Sequence, residues 1–355
     1  MGRRLLVMGA GTGLGNNVIR SLTAGDPSFV IVGCHPDRFA LKSSSAPRNY
    51  VIPSGPAEAV RRSLRRIIAR EAIDLLIPTS DRDVQLTARL GASLRGRLFL
   101  PRPRVISLCQ DKYRVSAYLR ARGVPAPKTY AVTTLRDVAP IFRRLGGGPP
   151  VWCRVRKGSG SKGALPVRDP EQARSWIRYW RDMRGVPVRS FTLCEYLPGR
   201  DFGCQSLWRN GRLVLAKTFE RLTYFAGENQ PSGVSSVAAL ARSVVEPRVV
   251  EVCAAAVRAL DPRTSGLYCI DLKEDTSGTP CITDMNVGRF SLSTHLYDLI
   301  GKHNMASTYV QLALGDPVEI TDEYDAADGF YMVRDLDTLP RIVHADELVE
   351  GLEEA

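Results

Sequence analysis

Apolar positions in the first third of the chain switch between the spacing of a strand and the spacing of a helix. An apolar run over Leu5 to Met8 is followed by a helical pattern over Asn16 to Leu22. Further strands are expected over Phe29 to Gly33 and Ile73 to Pro78, and further helices over Glu58 to Arg70 and Asp83 to Leu94. This alternation predicts one layer of parallel sheet with helices packed on it.

The pattern then changes to strands that are joined by short turns. A helix is expected over Asp111 to Arg122, because glycine and proline at 123–127 end it. Strands are expected over Lys128 to Val132, Val151 to Val155, Ala164 to Val167, Phe191 to Leu197, Phe202 to Trp208, Leu213 to Glu220, Gly266 to Lys273 and Pro280 to Asn286. Asn210-Gly211 is a strong hairpin signal, so this sheet is expected to be antiparallel. Helices are expected over Val249 to Leu260, Thr294 to Ile300 and His303 to Leu314.

A chain of 355 residues is long enough for two or three domains with substantial cores. We predict an α/β domain over 1–105, a first lobe over 106–190, a second lobe over 191–320 and a C-terminal extension over 321–355. No stretch approaches the roughly eighteen unbroken apolar residues of a membrane span, and the short run at 5–8 does not have the length of a signal peptide. We therefore expect a cytoplasmic protein without a membrane partner.

The charge balance is strongly basic, with 49 Lys and Arg against 37 Asp and Glu and a formal net charge of +12. The arginines are scattered singly or in pairs, without the aromatic-interleaved basic stripe of nucleic-acid modules. We expect no nucleic-acid partner, and a basic surface that favours anionic small molecules. The eight cysteines show no metal-ligand spacing and are expected to be reduced, buried thiols.

The glycine turn Gly9 to Gly15 follows the first strand and opens the first helix. It matches the dinucleotide fingerprint loosely, because Leu14 stands at the third glycine position and Cys34 and His35 stand where an acidic ribose ligand is expected. One interpretation is a tight strand-to-helix turn or a pocket lining. The alternative is a nicotinamide site, which would make the protein an oxidoreductase.

Four later segments combine basic side chains, a glycine-rich stretch and carboxylates. They are Asp111-Lys112, the stretch from Arg154 to Gly163, the stretch from Glu195 to Asp201, and Asp271 with Asp284-Met285-Asn286. Phosphoryl transfer depends mostly on positioning and charge neutralisation, which requires cations, a loop of backbone N–H groups and carboxylates for magnesium.

The last of these segments predicts a metal site. Asp271 and Asp284 lie on strands joined by a tight turn, so cross-strand pairing can bring their carboxylates together. Asn286 is two residues further along and shares a face with Asp284. Oxygen ligands of this kind suit Mg²⁺, with Mn²⁺ as a second candidate.

In this order the four segments resemble the ATP-grasp superfamily, and in particular the proteins similar to the large subunit of carbamoyl-phosphate synthase. The resemblance covers roughly residues 4 to 315. It implies an α/β fold in which an N-terminal Rossmann-like (pre-ATP-grasp) domain precedes a two-lobed ATP-grasp fold. It also implies an ATP-dependent carboxylate-amine ligase that forms an amide through an acyl phosphate, with small-molecule carboxylate and amine substrates. A homodimer is one oligomeric state that we consider.

The resemblance assigns roles to individual residues. Lys112 and Arg154 would reach the phosphates, the mobile loop would cover them, the hinge would bind adenine, and Asp201 would bind the ribose. The catalytic residues would be Arg154, Lys162 and Arg289. The loop residues are Gly158, Ser159, Gly160, Ser161, Lys162 and Gly163, and the hinge residues are Glu195, Tyr196 and Leu197.

The sequence departs from the family pattern at several of these positions. Arg154-Val155 replaces Lys-Pro, Asp201 and Asp284 stand where glutamate is usual, and Val287 replaces proline. These departures motivate a second hypothesis, a protein that binds or senses ATP without turnover. Weaker candidates for contact with the acceptor substrate are Lys217, Glu220, Arg221, Ser291, Ser293 and His295.

Overall fold

The N-terminal part of the protein is a four-stranded parallel sheet with the strand order β3-β2-β1-β4. The structure is a computed structural model that describes residues 2–90, 94, 98–146, 148, 150–158, 160–235, 237–336 and 339–347. The strands are β1 (Arg4–Met8), β2 (Val30–His35), β3 (Arg48–Val51) and β4 (Leu75–Ile77), and the helices are α1 (Gly13–Gly25), α2 (Arg38–Lys42), α3 (Ala57–Arg70) and α4 (Asp81–Leu90). The predicted alternation is confirmed. Helix α4 begins two residues earlier than expected, and its predicted continuation over 91–93 lies outside the described residues.

A small antiparallel sheet follows, with the order β5-β8-β6-β7. Its strands are β5 (Thr129–Ala131), β6 (Val151–Val155), β7 (Leu165–Val167) and β8 (Phe191–Cys194), preceded by α5 (Pro103–Cys109) and α6 (Lys112–Arg120) and packed with α7 (Val138–Arg144) and α8 (Pro170–Arg184). The strand predicted over Phe191 to Leu197 ends at Cys194, so 195–200 form a connection between the sheets.

The large sheet has seven strands in the order β13-β12-β9-β10-β11-β14-β15, and its pairings are antiparallel. Its strands are β9 (Asp201–Arg209), β10 (Arg212–Tyr224), β11 (Ala238–Ser243), β12 (Gly266–Glu274), β13 (Pro280–Val287), β14 (Phe330–Val333) and β15 (Arg341–His344), and its helices are α9 (Pro247–Leu260), α10 (Thr294–Asp298) and α11 (Met305–Leu314). Asn210 and Gly211 have the positive φ values, 51° and 83°, that a tight hairpin turn requires. The antiparallel prediction is therefore confirmed.

A buried cluster of oppositely charged side chains lies beside the large sheet. The Lys217 ammonium lies 3.0 Å from Asp325 Oδ2 and 3.5 Å from Asp298 Oδ1, and it donates to Tyr297 O at 3.1 Å. Burial raises the pKa of Asp298 despite the attraction of Lys217. The cluster ties β10 to α10 and to the segment that leads into β14.

Replacing Lys217 by methionine is expected to destabilise the protein by about 3–5 kcal/mol, because two buried carboxylates lose their shared cation. Urea denaturation of the full chain measures this change. Lys42→Met, at an exposed helix end, is the control and should shift stability by less than about 0.5 kcal/mol. Equal midpoints for the two variants would show that the cluster does not hold these segments together.

The eight cysteines are all free and buried, as expected. Within the described ranges, no helix combines the length and the apolar character that crossing a bilayer requires.

Candidate functional site

A cleft of about 360 Å³ lies where the small sheet, the large sheet and the N-terminal domain meet. The predicted site residues that line it are Lys112, Arg154, Gly158, Gly160, Ser161, Lys162, Glu195, Tyr196, Leu197, Asp201, Asp271, Asp284, Asn286 and Arg289. Gly163 packs beside the cleft, and the prediction for Ser159 lies outside the described residues. Folding thus brings segments that are far apart in the sequence into one site.

The carboxylate pair lies on the floor of the cleft. Asp271 on β12 and Asp284 on β13 are direct partners in the strand register, and the pairing shifts immediately after Asp271. The Asn286 side-chain N–H donates to Asp271 Oδ2 at 3.2 Å. The three predicted metal ligands are therefore neighbours on one hairpin.

Each carboxylate of the pair is bound by a cationic side chain. Lys112 Nζ lies 2.9 Å from Asp284 Oδ2, and Arg221 Nη2 lies 2.5 Å from Asp271 Oδ1. Burial raises the pKa of Asp284, but Lys112 and Arg154 outweigh it and hold that pKa below its ordinary value. Burial and the repulsion of Asp284 raise the pKa of Asp271 above its ordinary value, although Arg221 opposes the shift.

The donor set of this pair fits magnesium in the presence of a nucleotide. Among the described residues, no group of three or more His, Cys, Asp or Glu side chains is placed to hold a metal. Asp271 and Asp284 supply two carboxylates, and Asn286 supplies an amide oxygen. Mg²⁺ is usually held by one or two carboxylates, with phosphate oxygens and waters completing its shell. The pair matches that pattern.

The glycine-rich loop is held by a hydrogen bond at its start and has few close neighbours in its middle. Lys112 Nζ donates to Gly158 O at 2.8 Å, which fixes the loop to the first turn of α6. Gly158 and Gly160 have φ values of 109° and 78°, and nothing lies within 4 Å of a Cβ built on either. The Lys162 side chain is exposed at the cleft. This part of the loop has free space around it.

The end of the loop is packed tightly. A Cβ on Gly163, whose φ is 61°, would lie 2.9 Å from both Phe191 and Val155. The indole N–H of Trp176 on α8 donates to Gly163 O at 2.9 Å. Helix α8 therefore anchors the C-terminal end of the loop.

The connection between the two sheets forms an apolar slot. Tyr196 lies beside Trp152, with ring centroids 6.2 Å apart, and Leu197 is buried. The Glu195 carboxylate accepts the Lys128 backbone N–H at 2.7 Å and pairs with the Lys128 ammonium at 3.2 Å. The Glu195 side chain thus holds the start of β5, while Trp152, Tyr196, Leu197 and Lys273 line the cleft beside it.

Arg221 joins two acidic residues that the sequence assigns to different roles. Its Nη1 donates to Asp201 Oδ1 at 2.6 Å, while Nη2 contacts Asp271. The Tyr224 hydroxyl donates to the other oxygen of Asp201, and burial together with Asp201 raises the pKa of that hydroxyl. The sequence alone makes Arg221 only a weak candidate for the site, because the strand register that places it between Asp201 and Asp271 cannot be read from the sequence.

Arg289 connects the large sheet to the N-terminal domain. Its Nε donates to Asp81 Oδ1 and its Nη2 to Asn286 Oδ1, both at 2.5 Å. Asp81 was missed in the sequence. It follows β4, and the carboxyl ends of parallel strands are where such sheets bind ligands, so its position was an available signal.

Arg154 projects from β6 toward the carboxylate pair. Its Nη2 donates to Thr283 O at 2.9 Å, and its buried Nε has no partner among the described residues. Arg154 therefore has hydrogen-bonding capacity left over.

The glycine turn Gly9 to Gly15 packs closely against backbone atoms of neighbouring residues. A Cβ on Gly11 would lie 1.8 Å from Ala40 O, and one on Gly15 would lie 2.2 Å from Gly9 O. The Thr12 hydroxyl accepts the Gly15 N–H at 3.1 Å. These glycines allow a tight strand-to-helix turn, and Leu14 within it lines the cleft, as the first interpretation expected.

Of the weaker candidates for contact with the acceptor substrate, Arg221, Ser291 and Ser293 line the cleft, whereas Lys217, Glu220 and His295 are not among its lining residues. Arg334, which follows β14 and was missed in the sequence, also lines the cleft. Lys217 is held in the buried cluster, and Glu220 is paired with Arg200 and Arg242.

Comparisons with known proteins identify the fold. No protein-family model matches the sequence, and no curated protein sequence matches it either. A solved L-amino acid ligase from Bacillus licheniformis is 15% identical, with a TM-score of 0.71 over 93% of this chain and 78% of that one. The biotin carboxylase domain of the Hydrogenobacter thermophilus 2-oxoglutarate carboxylase, in complex with MgADP, ADP and bicarbonate, is 15% identical, with a TM-score of 0.71 over 94% and 74%. A carboxyaminoimidazole ribonucleotide synthase from Aspergillus clavatus, complexed with ATP, is 14% identical, with a TM-score of 0.69 over 94% and 81%.

Each of the three structural similarities covers nearly the whole chain. The similarity therefore includes the parallel sheet and both antiparallel sheets. The predicted fold class, an N-terminal Rossmann-like domain followed by a two-lobed ATP-grasp fold, is confirmed.

Proposed function

We propose that the protein is an ATP-dependent ligase that joins a small-molecule carboxylate to an amine and releases ADP and phosphate. The observation that carries the proposal is the carboxylate pair Asp271 and Asp284, which shares one cleft with a glycine loop and several cations. The neighbours solved with MgADP and with ATP support the same ligands for this fold.

The nucleotide would lie across the two sheets. The apolar slot at Tyr196 and Leu197 suits an adenine ring, and the open glycine loop offers backbone N–H groups to phosphates. Asp201 would receive the ribose hydroxyls, with Arg221 and Tyr224 holding its carboxylate in place. Lys112, Arg154 and Lys162 would neutralise the phosphate charge.

Asp271, Asp284 and Asn286 would hold Mg²⁺ or Mn²⁺, which supplies charge neutralisation at the phosphates. Lys112 and Arg221 already neutralise the two carboxylates. When the nucleotide binds, Lys112 would turn toward the phosphate oxygens, and Arg221 would release Asp271 while it keeps its bond to Asp201. They would then leave the carboxylates free for the metal.

The proposed reaction has two steps. A carboxylate oxygen of the substrate attacks the γ-phosphorus, and ADP leaves. The amine nitrogen then attacks the carbonyl carbon of the acyl phosphate, phosphate leaves, and the nitrogen loses a proton. Arg289 and Arg154 would stabilise the negative charge that develops on the transferred group.

The proposal is tested by ADP release from the full chain with Mg·ATP and a panel of carboxylic acids and amino acids. Hydroxylamine added to each reaction traps an acyl phosphate as a hydroxamate, whichever amine the protein uses. We expect ADP and hydroxamate together for at least one acid. ADP release from none of the panel, with or without hydroxylamine, would contradict the ligase assignment.

A second candidate is a protein that binds ATP without turnover. It is favoured by the ion pairs Arg221–Asp271 and Lys112–Asp284, which satisfy both carboxylates within the chain. Thermal stabilisation by Mg·ATP without ADP release would support this candidate. Stabilisation by NAD(P) alone would instead support the oxidoreductase.

The anchor of the glycine loop makes a specific prediction. Trp176→Phe removes the indole N–H that binds Gly163 O and leaves an aromatic ring on α8. Since one neutral hydrogen bond contributes about 1 kcal/mol, we expect the KM for ATP to rise about fivefold, with kcat little changed. Initial rates at varied ATP concentration measure both constants.

The matched control for this variant lies on the same helix. Trp180 carries a buried indole N–H that has no partner among the described residues. Trp180→Phe should leave the KM for ATP within about twofold of the parent value. Equal effects of the two substitutions would show that the bond to Gly163 does not position the loop.

A further inference from the structure

Gln205 on β9 is a buried residue of the cleft, and its amide nitrogen has no hydrogen-bond partner among the described residues. Only 1% of the residue is exposed. Its carbonyl oxygen accepts the Thr294 hydroxyl at 2.6 Å and the Ser291 backbone N–H at 3.2 Å. These two donors fix the orientation of the carboxamide, so its own two N–H donors lie at the end without a partner. A buried N–H group in this state is unfavourable, and a bound acceptor oxygen would satisfy it.

The strand register places Gln205 in the same row of the large sheet as one of the predicted metal ligands. Cys269 on β12 is the direct partner of Gln205, and Asn286 on β13 is the direct partner of Cys269. The next row, two residues along each strand, contains the carboxylate pair Asp271 and Asp284. Since directly opposed residues and residues two apart share a face of a sheet, Gln205 lies on the face of the carboxylate pair, one row away.

The Gln205 carboxamide also lies close to the segment that carries Arg289. The Cys269 thiol is between them, with its sulfur 3.6 Å from Gln205 Oε1 and 3.1 Å from Arg289 O. Asp201, which would bind the ribose, is four residues away along β9, or about 13 Å at ~3.3 Å per residue. The free N–H donors are therefore at the Arg289 end of the cleft, away from the position proposed for the ribose.

We infer that Gln205 contacts the carboxylate substrate and donates a side-chain N–H to one of its oxygen atoms. The inference rests on the proposed function, because Arg289 would act on the phosphoryl group that this carboxylate receives. A carboxylate offers only acceptors, so it matches a group whose free end offers only donors. An ammonium group offers only donors and would remain unpaired there. Gln205 thereby determines which substrate group lies beside Arg289.

Kinetics of Gln205→Glu, with an acid that the panel identifies as a substrate, test this contact. Glutamate retains an oxygen for Ser291 N–H and the Thr294 hydroxyl, but it replaces the two free N–H donors with an oxygen that repels a carboxylate. We expect the KM for the acid to rise at least tenfold, with the KM for ATP within about twofold of the parent value. A purely structural role of the carboxamide would not separate the two constants.

Gln311→Glu is the matched control. It makes the same chemical change at an exposed position of α11 and should leave both KM values unchanged. Gln205→Met is uncharged and similar in size, and it is the second variant if Gln205→Glu does not fold. Because it also lacks the N–H donors, it should raise the KM for the acid about tenfold without a matching change for ATP.

A second readout does not depend on turnover. In the full chain with nitrogen-15 in its glutamine side chains, the Gln205 amide signals are the pair that is absent from the spectrum of Gln205→Met. Acetate is the probe, and ethylammonium is a cation of the same size. Each is added in the presence of magnesium and a non-hydrolysable ATP analogue, and then without them. We expect acetate to shift the Gln205 signals saturably and ethylammonium to leave them in place.

Three results would overturn the inference: the same KM for the acid in the parent and in Gln205→Glu, an equal rise in the KM values for the acid and for ATP, or, if the panel contains no substrate, Gln205 signals that neither acetate nor any acid of the panel shifts. Saturable acetate shifts without ADP release would support the contact while the proposed function fails. ADP release with an unchanged KM for the acid would leave the ligase assignment intact while the contact fails.

Discussion

Replacing Asp284 by asparagine is expected to reduce ADP release about a thousandfold. Asp284 is the predicted metal ligand closest to the phosphate-binding cations, since Lys112 Nζ lies 2.9 Å from its carboxylate. Asparagine retains the shape and removes the negative charge that would hold magnesium. A metal contributes several kcal/mol of transition-state stabilisation, and each ~1.4 kcal/mol corresponds to a tenfold change in rate.

The control for Asp284→Asn lies on the same hairpin. Asp275 is in the turn between β12 and β13, where its carboxylate accepts the backbone N–H groups of Ser277 and Thr279. Asp275→Asn should keep parental turnover. Asp284→Glu retains a carboxylate and should keep more activity than Asp284→Asn. Parental turnover by Asp284→Asn would show that this carboxylate does not hold the metal.

Replacing Arg289 by glutamine is expected to reduce kcat by two to three orders of magnitude, with a smaller change in the KM for ATP. The reason is that a preorganised donor acts mainly on charge that develops in the transition state, and losing one donor costs about 10²–10³ in kcat. Asn286 and Asp81 hold the Arg289 guanidinium at 2.5 Å, so its direction is fixed before substrate binds.

Two further variants separate the charge of Arg289 from its orientation. Arg289→Lys retains the charge but cannot bind Asp81 and Asn286 together, so it should restore only part of the loss. Asp81→Asn leaves the guanidinium in place with a weaker support, and we expect about a fivefold loss in kcat. If Arg289→Gln changed only the KM for ATP, the residue would bind nucleotide and would not act on the transferred group.

Local signals in the sequence are sufficient to predict most of the fold. The turn at Asn210-Gly211 and the glycine–proline run after α6 mark boundaries through their own backbone preferences. Helix α8 was missed, although Asp169 caps it and Gly185 ends it with a φ of 64°. Its exposed face is rich in arginine, and only Ala173 and Ile177 are buried, so its apolar pattern is weak.

The candidate site was predicted where its residues are close in sequence or lie on one hairpin. Asp271, Asp284 and Asn286 meet because a short turn fixes the register of β12 and β13. The contact of Arg221 with Asp271 depends instead on the side-by-side order of β10, β9 and β12, which local patterns do not determine. Asp81 and Arg334 reach the cleft from the N-terminal sheet and from β14, and long-range packing places both.

The most direct measurement is a crystal structure of the full chain with magnesium and a non-hydrolysable ATP analogue. We predict adenine in the slot at Tyr196 and Leu197, phosphates beneath the glycine loop, and magnesium bound to Asp271 and Asp284, with Arg221 turned away from Asp271. A nucleotide bound elsewhere, or one bound in the cleft while Arg221 and Lys112 keep both aspartates from the metal, would contradict the proposed magnesium site.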